Sequence, residues 1–349
     1  MAYINAISFH LPEHVISNEE VLTDYFQFAG ENADQCFTTN RIFQQCGIQK
    51  RFQSHPEETA KDLGNRAAEK LFAEWDISKD SIDYLIFVSD ALEYKGPTTA
   101  CVMQDNLGLK KSIGAIDILH GCTGFVYGIS IAKALLISGQ ATNILVVTAD
   151  VPTKVIHPSD IELRSIFSDG AAATLISNEK IENGINASVG NFVFGTDGSG
   201  EHALKVERSA TKNPADIQWL RQFENVPHGN IGGRLVMKSS KIFLFALRTV
   251  PKLIAKLLEN EKLSDEAISY YILHQANGQM LDFIRKRIKI EKEKFIINIE
   301  EIGNTVSASI PIALYETFKT KTPKKNDKIL LAGFGIGLSW GGTIITFGD

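Results

Sequence analysis

Apolar runs that favour β-strands alternate along the chain with segments whose apolar residues recur at helical spacing. "DYLIFVSDA" precedes a helical run that begins near Thr98, and "SYYILHQAN" precedes the helical run "GQMLDFIRKRI". This alternation is typical of an α/β protein. The strand candidates are apolar throughout rather than at every second position, which predicts central strands covered by helices on both faces.

The strand candidates occur in two series that have the same order. In the first and second series, "IGAIDILHGCTGF" corresponds to "KFIINIEEIGNTV", "ATNILVVTAD" to "NDKILLAGFG", and "RSIFSDGAAATLIS" to "GLSWGGTIITF". Each half is therefore predicted as strand, helix, strand, helix, strand, strand, with a pseudo-twofold axis between the halves. We place the boundary within residues 178–190, which divides the chain into residues 1–183 and 184–349.

Two segments interrupt the repeat. Residues 13–60 are predicted to form a helical insertion in the first half. The stretch from about Gly195 to Gly233 is rich in Gly, Asn and Pro and has little regular pattern. A long segment of this kind is typical of an excursion over the surface or across an active site.

Length and charge exclude several classes of protein. With 349 residues the chain is too long for one simple core. Its net charge of −5 gives no reason to expect nucleic-acid binding. No apolar run reaches the roughly 18 residues that span a bilayer, so no membrane association is expected. The first residues lack a basic segment followed by an apolar one, so we expect no signal peptide and a cytoplasmic location.

The four cysteines are Cys36, Cys46, Cys101 and Cys122. They form no C-x-x-C pair and have no accompanying histidine cluster, so neither a disulfide framework nor a zinc site is predicted. We predict no metal and no cofactor. Each cysteine is then either a small apolar residue of the core or a reactive thiol.

Cys122, His274 and Asn304 each follow a predicted strand of the repeat, on the side where open α/β sheets bind ligands. Cys122 also precedes a helix, whose positive amino end favours thiolate over thiol, and a nearby histidine would act in the same direction. Glycines on both sides of Cys122 would let a substrate approach the sulfur. Taken singly, the three residues also fit a buried cysteine, a core histidine and a helix-capping asparagine. Their equivalent positions in one repeat favour a common active site.

The motifs around these residues resemble the β-ketoacyl-acyl-carrier-protein synthase III family. The resemblance is carried by "GCTGFVYGI", "LHQAN", "GNTVSASIP" and "GFGIGLSWGGTII", with further likeness in "FSDGAAAT" and "GTDGSG". It follows the family's order along almost the whole chain. It implies a thiolase-like α/β fold, with two pseudo-twofold-related halves and central mixed sheets covered by helices in αβαβα layers.

The resemblance also implies a reaction and a role for each site residue. Cys122 would attack an acyl thioester and hold the acyl group. His274 and Asn304 would bind a malonyl thioester on acyl carrier protein and stabilise the enolate that forms as carbon dioxide leaves. The enolate would attack the acyl group, giving a β-ketoacyl thioester in fatty-acid or polyketide-like biosynthesis. Backbone N–H groups of Cys122 and Ile336 would form the oxyanion hole, where a side chain on Ile336 is acceptable.

The chain departs from the family pattern at the expected entrance. Members that use coenzyme A primers usually carry W-x-x-x-R-T-G-I, whereas "RIFQQCGI" places Arg41 and Gln45 at the Trp and Arg positions. Many members have Arg where this chain has Gln279. The primer is therefore predicted to arrive on either coenzyme A or a carrier protein. Two basic patches fit docking of an acidic carrier protein, and each also fits a solvated helix surface. Arg248, Lys252 and Lys256 share one helix face, and Arg285, Lys286 and Arg287 follow one another on a second helix.

The family resemblance also implies a homodimer, because in the family a loop of the partner subunit closes the acyl pocket. The corresponding position is Gly96 in "EYKGPTTA". A missing side chain there predicts a primer larger than acetyl, although Gly96 also fits a simple turn before Pro97.

Two other functions use the same fold. One is transfer of an acyl group from Cys122 to an alcohol or amine without decarboxylation, against which the pair His274 and Asn304 argues. The other is a non-catalytic partner in a ketosynthase heterodimer, which would be free to lose Cys122. A papain-like protease also uses Cys, His and Asn, but the repeated α/β order argues against it.

Overall fold

The computed structural model describes residues 1–212, 214, 216–221 and 233–348. Within them the strands are β1 (Tyr3–His10), β2 (His14–Ser17), β3 (Lys50–Gln53), β4 (Tyr84–Ser89), β5 (Gly114–Leu119), β6 (Asn143–Asp150), β7 (Gly170–Ser177), β8 (Ala187–Thr196), β9 (Leu204–Glu207), β10 (Arg234–Met237), β11 (Tyr270–Leu273), β12 (Phe295–Ile296), β13 (Lys328–Gly335) and β14 (Ser339–Phe347). The α-helices are α1 (Asn18–Ala29), α2 (Thr39–Cys46), α3 (Ala60–Glu74), α4 (Thr99–Asn106), α5 (Gly124–Ile137), α6 (Ile161–Arg164), α7 (Ile217–Leu220), α8 (Ser239–Glu261), α9 (Gly278–Arg287) and α10 (Ser309–Lys321).

Ten strands form one mixed sheet in the order β12-β11-β13-β14-β8-β1-β7-β6-β4-β5. The five strands of each half follow the same order, with β4, β5 and β6 parallel in the first half and β11, β12 and β13 parallel in the second. The halves join where β1 pairs antiparallel with β8, so that Tyr3 lies opposite Ser188. The predicted pseudo-twofold repeat is confirmed, with the two predicted sheets joined edge to edge.

The layers of the fold follow from which apolar faces are buried. Helices α5 and α10 lie between the halves, where Phe125 of α5 and Leu314 of α10 share a buried cluster with strands of both halves. Helix α3 covers the outer face of the first half with Leu63 and other apolar residues. Helix α8 covers the outer face of the second half with residues such as Leu253. This is the predicted αβαβα arrangement.

The sequence pattern missed the first strand of each half. Strand β1 carries polar residues at buried positions, which hides its apolar character: Asn5 donates to the Glu179 carbonyl oxygen and Ser8 to the Glu74 carboxylate. Strand β8 is half-exposed, and the predicted boundary region overlaps its first residues. The boundary at 183/184 lies between β7 and β8, and the division into two domains remains a prediction.

The two interrupting segments are more ordered than predicted. The insertion contains α1 and α2, but β2 and β3 also pair within it. The excursion contains β9, which pairs antiparallel with β10 after the gap. The rest of that prediction falls partly on residues 213, 215 and 222–232, which lie outside the described residues. In the described part of the chain, no helix has both the length and the apolar character needed to cross a membrane.

Side-chain caps fix where the helices near the entrance begin. Asn277 caps α9 by accepting a hydrogen bond from the Met280 N–H at 3.0 Å. Its amide nitrogen also donates to the carbonyl oxygen of Gln45 at 3.2 Å. The start of α9 is therefore tied to the end of α2, and Gln45 and Asn277 both line the cavity described next.

Candidate active site

A cavity of about 520 Å³ brings Cys122, His274 and Asn304 together from three separate parts of the chain. The three residues are 6%, 1% and 3% exposed, respectively. The described residues that line the cavity include no charged side chain. Besides Cys122, His274 and Asn304, the residues that line the cavity are Gln45, Ile166, Phe167, Leu204, Met237, Ser239, Ser240, Ile242, Phe243, Leu244, Ala276, Asn277, Gln279, Met280, Phe334 and Gly335.

Cys122 lies in the turn between β5 and α5, where the end of β13 approaches its sulfur. A Cβ atom at Gly335 would lie 2.6 Å from Cys122 Sγ, so only glycine fits at this contact. Backbone hydrogen bonds from Ile336 and from Cys122 itself act on the thiol, and both lower its pKa. These are the two groups to which the family resemblance assigns the oxyanion hole, and that role remains a prediction.

The ionisation of Cys122 differs from the sequence prediction. Burial is the largest influence and raises the pKa of the Cys122 thiol to about 12, and the charges of Asp90 and Asp150 act in the same direction. The backbone hydrogen bonds only partly offset this rise. The predicted thiolate is therefore wrong for the free protein: Cys122 is a thiol near neutral pH, and its proton must leave when it reacts.

The two carboxyl groups beside Cys122 were not singled out from the sequence. Asp150 ends β6 and accepts hydrogen bonds from the Asp90 N–H at 2.9 Å, the Ser307 N–H at 2.9 Å and the Ser307 hydroxyl. Burial raises the pKa of both carboxyl groups, and the neighbouring charge of Asp90 adds to the rise at Asp150. Asp90 directly follows β4 and Asp150 is the last residue of β6, so the strand-end pattern that identified Cys122 could have found both.

His274 follows β11, and its backbone N–H donates to the Ala332 carbonyl oxygen at 2.8 Å. Its Nδ1 lies 2.7 Å from the Ser309 hydroxyl. Burial is the largest influence and lowers the pKa of His274 to about 3, and a hydrogen bond with the Val306 backbone acts in the opposite direction. The imidazole is therefore neutral at physiological pH and carries one N–H group.

Asn304 is held by hydrogen bonds at both ends of its carboxamide. The Val306 N–H donates to its Oδ1 at 2.9 Å, and its Nδ2 donates to the Ala276 carbonyl oxygen at 3.2 Å. One Nδ2 proton is left to serve a ligand. The residue does not follow its strand directly, because β12 ends at Ile296. A bridge to Phe167 places it at the cavity instead.

The cavity can support chemistry in which negative charge develops on a carbonyl oxygen. Neutral hydrogen-bond donors in a dry site stabilise such charge, and the Phe334 ring lies edge-on to His274 with centroids 5.7 Å apart, which helps to exclude water. Gly96 does not line the cavity. It lies in an exposed segment between β4 and α4, and a Cβ atom there would meet nothing within 4 Å.

Five of the six predicted docking residues separate into two groups. Arg248, Lys252 and Arg287 are exposed, and no ion pair is recorded for them within the described residues. Lys256 and Lys286 are exposed but pair with Glu259 and Asp282.

Arg285 belongs to neither group. It donates to Asp282 at 2.8 Å and 3.0 Å and to the Ile290 carbonyl oxygen at 3.0 Å, and its side chain is only 17% exposed. Its guanidinium is engaged within its own chain, which argues against its predicted docking role.

The entrance residues that depart from the family pattern lie close to the cavity. Gln45 and Gln279 line it. Arg41 instead turns its guanidinium onto the Phe37 ring, 4.7 Å from the ring centroid, and donates to the Cys36 carbonyl oxygen. Arg41, which stands in the position of the family's tryptophan, therefore contacts the segment just before α2.

A five-layered fold with a cysteine, a histidine and an asparagine in one apolar cavity defines a thiolase-fold condensing enzyme. The chain belongs to the 3-oxoacyl-[acyl-carrier-protein] synthase III family. The family's sequence profile matches residues 116–198, and the profile of its C-terminal part matches residues 258–347. The prediction of family, fold and condensing function is confirmed, and the protein is an enzyme.

Relatives and solved structures agree over nearly the whole chain. The β-ketoacyl-[acyl-carrier-protein] synthase III of Fusobacterium nucleatum is 34% identical over 98% of this chain and 97% of its own length. The β-ketoacyl-[acyl-carrier-protein] synthase III of Lactococcus lactis subsp. lactis is 35% identical over 99% of this chain and 98% of its own length. A crystal structure of a 3-oxoacyl-(acyl-carrier-protein) synthase III has a TM-score of 0.89 at 36% identity and covers 99% of both chains. The priming β-ketosynthase of the R1128 polyketide pathway has a TM-score of 0.84 at 25% identity, covering 100% of this chain and 97% of its own.

Proposed function

We propose that this enzyme transfers an acyl group to Cys122 and then condenses it with a malonyl thioester carried on acyl carrier protein. In the first step the Cys122 sulfur bonds to the acyl carbon, the C–S bond of the incoming thioester breaks, and the Cys122 proton passes to the departing sulfur to give the free thiol. In the second step carbon dioxide leaves the malonyl group. The resulting enolate attacks the acyl carbon, the bond to Cys122 breaks, and a β-ketoacyl thioester forms.

The observation that carries this proposal is that Cys122, His274 and Asn304 line the same cavity, whose described lining residues include no charged side chain. The Nε2–H of His274 and the remaining Nδ2 proton of Asn304 would donate to the malonyl carbonyl oxygen as it becomes an enolate oxygen. The backbone N–H groups of Cys122 and Ile336 would serve the oxyanion of the acyl-transfer steps.

The test follows the protein mass after incubation with a panel of acyl thioesters, for native enzyme and Cys122→Ala. Malonyl carrier protein is then added to the acylated enzyme, and carbon dioxide and β-ketoacyl product are measured. We expect a stable acyl adduct on native enzyme alone, followed by both products. Acyl transfer to an alcohol or amine without carbon dioxide would favour the acyltransferase alternative, and no adduct with any thioester would favour a non-catalytic subunit.

The primer is proposed to arrive on a carrier protein rather than on coenzyme A. Gln45 provides no positive charge for the phosphates of coenzyme A, and Arg41 is held by Phe37 and Cys36. Loading rates for the same acyl group on coenzyme A and on carrier protein test this directly. Equal or faster loading from coenzyme A would contradict it.

A carrier protein would dock on the exposed face formed by α8 and α9 at the cavity opening. Leu244 lines the cavity and is 50% exposed. Phe283 is 52% exposed, and its ring packs edge-on against Phe243, which also lines the cavity. Arg248 lies one turn beyond Leu244, and Arg287 one turn beyond Phe283, so each apolar residue has a basic neighbour on its own helix. An acidic carrier protein is complementary to this combination.

Charge reversal tests the docking face. Arg248→Glu and Arg287→Glu should raise KM for the carrier substrate several-fold, with a smaller effect at high salt and little change in kcat. Lys321→Glu, an exposed residue at the end of α10, is the matched control. A KM equal to that of the control would remove this face from consideration.

We assign the enzyme to a homodimer that forms along β5. This strand is the last of the sheet, so its outer edge has no strand partner within the described residues, and Leu119 at its end is 68% exposed. The Gly96 segment is tied to β5, because the N–H groups of Thr99 and Ala100 donate to Asp117. It is therefore placed to reach a second copy.

Two measurements test the dimer and the pocket. Light scattering after size-exclusion chromatography should give twice the chain mass, and a monomer would contradict the assignment. Gly96→Phe should shift the primer preference toward shorter acyl chains, since the added ring would fill the end of the partner's pocket. An unchanged preference would support the simple-turn interpretation of Gly96.

A further inference from the structure

Ser309, the first residue of α10, contacts the catalytic histidine without lining the cavity itself. Its Oγ lies 2.7 Å from His274 Nδ1. Ser309 and His274 are 3% and 1% exposed. Water does not compete for this hydrogen bond, so the direction in which it runs is set by the protein.

The neighbouring backbone determines that direction. The N–H of Gln275 donates to Ser309 Oγ at 3.3 Å, so this contact uses a lone pair of the hydroxyl. A serine hydroxyl has a single proton to donate. Across the described residues, the hydroxyl has one other recorded contact, which is with His274 Nδ1. A buried hydroxyl proton that lacks an acceptor is costly, and Nδ1 is the atom placed to receive it. The Ser309 hydroxyl therefore donates to the ring, and Nδ1 accepts.

We propose that Ser309 is a positioning residue, which holds His274 in the tautomer that carries its proton on Nε2. A neutral imidazole has one N–H, so an accepting Nδ1 leaves the proton on Nε2. This inference rests on the proposed function, in which that N–H donates to the malonyl carbonyl oxygen. The opposite tautomer would present a lone pair to the developing enolate and repel it. The low pKa of His274 supports the same picture, because it keeps the ring neutral in the working range of pH.

The kinetic test separates the two steps of the reaction. Ser309→Ala leaves Nδ1 without its donor, so decarboxylation of malonyl carrier protein should fall roughly tenfold or more, while acyl loading of Cys122 changes less than about twofold. Ser309→Thr retains the hydroxyl and should restore most of the rate. Thr317→Val is the matched control, because it also removes a buried α10 hydroxyl, one that donates to the Ala313 carbonyl oxygen. Equal losses in both steps, or no loss in either, would overturn the positioning role.

A spectroscopic test can be made on native enzyme, so it does not depend on whether a Ser309 variant folds. In native enzyme labelled with ¹⁵N-histidine, the His274 signals can be assigned by comparison with His274→Ala. We expect a protonated Nε2 and an unprotonated Nδ1, and a proton on Nδ1 would overturn the proposal. Failure of native enzyme to decarboxylate malonyl carrier protein would reject the proposed function, and the tautomer measurement would still decide the role of Ser309.

Discussion

The two sides of the cavity respond to burial in opposite ways. Around Cys122, burial and two carboxyl groups raise the pKa of the thiol to about 12, so the nucleophile is held in its unreactive form. Around His274, burial lowers the pKa to about 3 and keeps the ring in the neutral form that the enolate step uses. The low polarity of the cavity therefore opposes ionisation of Cys122 for acyl loading and assists the enolate step. The backbone N–H groups near Cys122 partly offset the rise in the thiol pKa.

Removing the Cys122 sulfur should have the largest effect, and it changes the surroundings of Cys122 without changing those of His274. Cys122→Ala should abolish acyl loading, a loss of at least about a thousandfold, because no other thiol lines the cavity among the described residues. Intact mass after incubation with acyl thioester checks this. Cys101→Ala, at an exposed cysteine, is the control and should load normally. An acyl adduct on Cys122→Ala would place the nucleophile elsewhere.

Removing a donor from the other side should leave loading intact. His274→Ala and Asn304→Ala should each lower carbon–carbon bond formation by about a hundredfold to a thousandfold, which is the usual effect of losing one donor to a developing oxyanion. Acyl loading, followed by mass, should remain within about threefold of native. If loading fell as far as condensation, the two sides would not be separable, and the assignment of His274 and Asn304 to the enolate step would fail.

The sequence pattern predicted much of the fold and of the candidate site, and its failures have physical reasons. Apolar strands, helical spacing and the repeated order predicted two similar halves with helix-covered strands, and they placed Cys122 and His274 at strand ends. The pattern did not reveal β1, where the buried Asn5 and Ser8 interrupt the apolar run. It also placed Asn304 at a strand end, although β12 stops at Ile296 and a bridge to Phe167 fixes the residue.

The ionisation state of Cys122 lay beyond a local pattern. The sequence shows a cysteine before a helix, and that neighbourhood alone favours thiolate. The observed direction depends on Asp90, Asp150 and the depth of burial, which come from distant parts of the chain. Sequence position indicated which residues meet, whereas the balance of burial and charge required the three-dimensional arrangement.

The pH dependence of the two half-reactions should differ in shape. Because the pKa of Cys122 is raised to about 12, the thiolate fraction, and with it the loading rate, should rise about tenfold per pH unit from pH 6 to 9. Because the pKa of His274 is lowered to about 3, the ring stays neutral over this range, and decarboxylation by acylated enzyme should be nearly constant. Single-turnover rates at each pH check both. A loading rate that levels off below pH 8 would mean a far lower thiol pKa.

The smallest predicted effect concerns the carboxyl group beside the thiol. Asp90→Asn removes a charge that raises the pKa of Cys122, so loading at pH 8 should become about threefold faster while decarboxylation is unchanged. Asp80→Asn, in the turn before β4, is the control for loss of an aspartate. If Asp90→Asn slowed loading instead, Asp90 would be assisting departure of the Cys122 proton. Asp90 would then be the base that accepts the Cys122 proton. Burial would in that case hinder formation of the Cys122 thiolate less than the raised pKa of the thiol indicates.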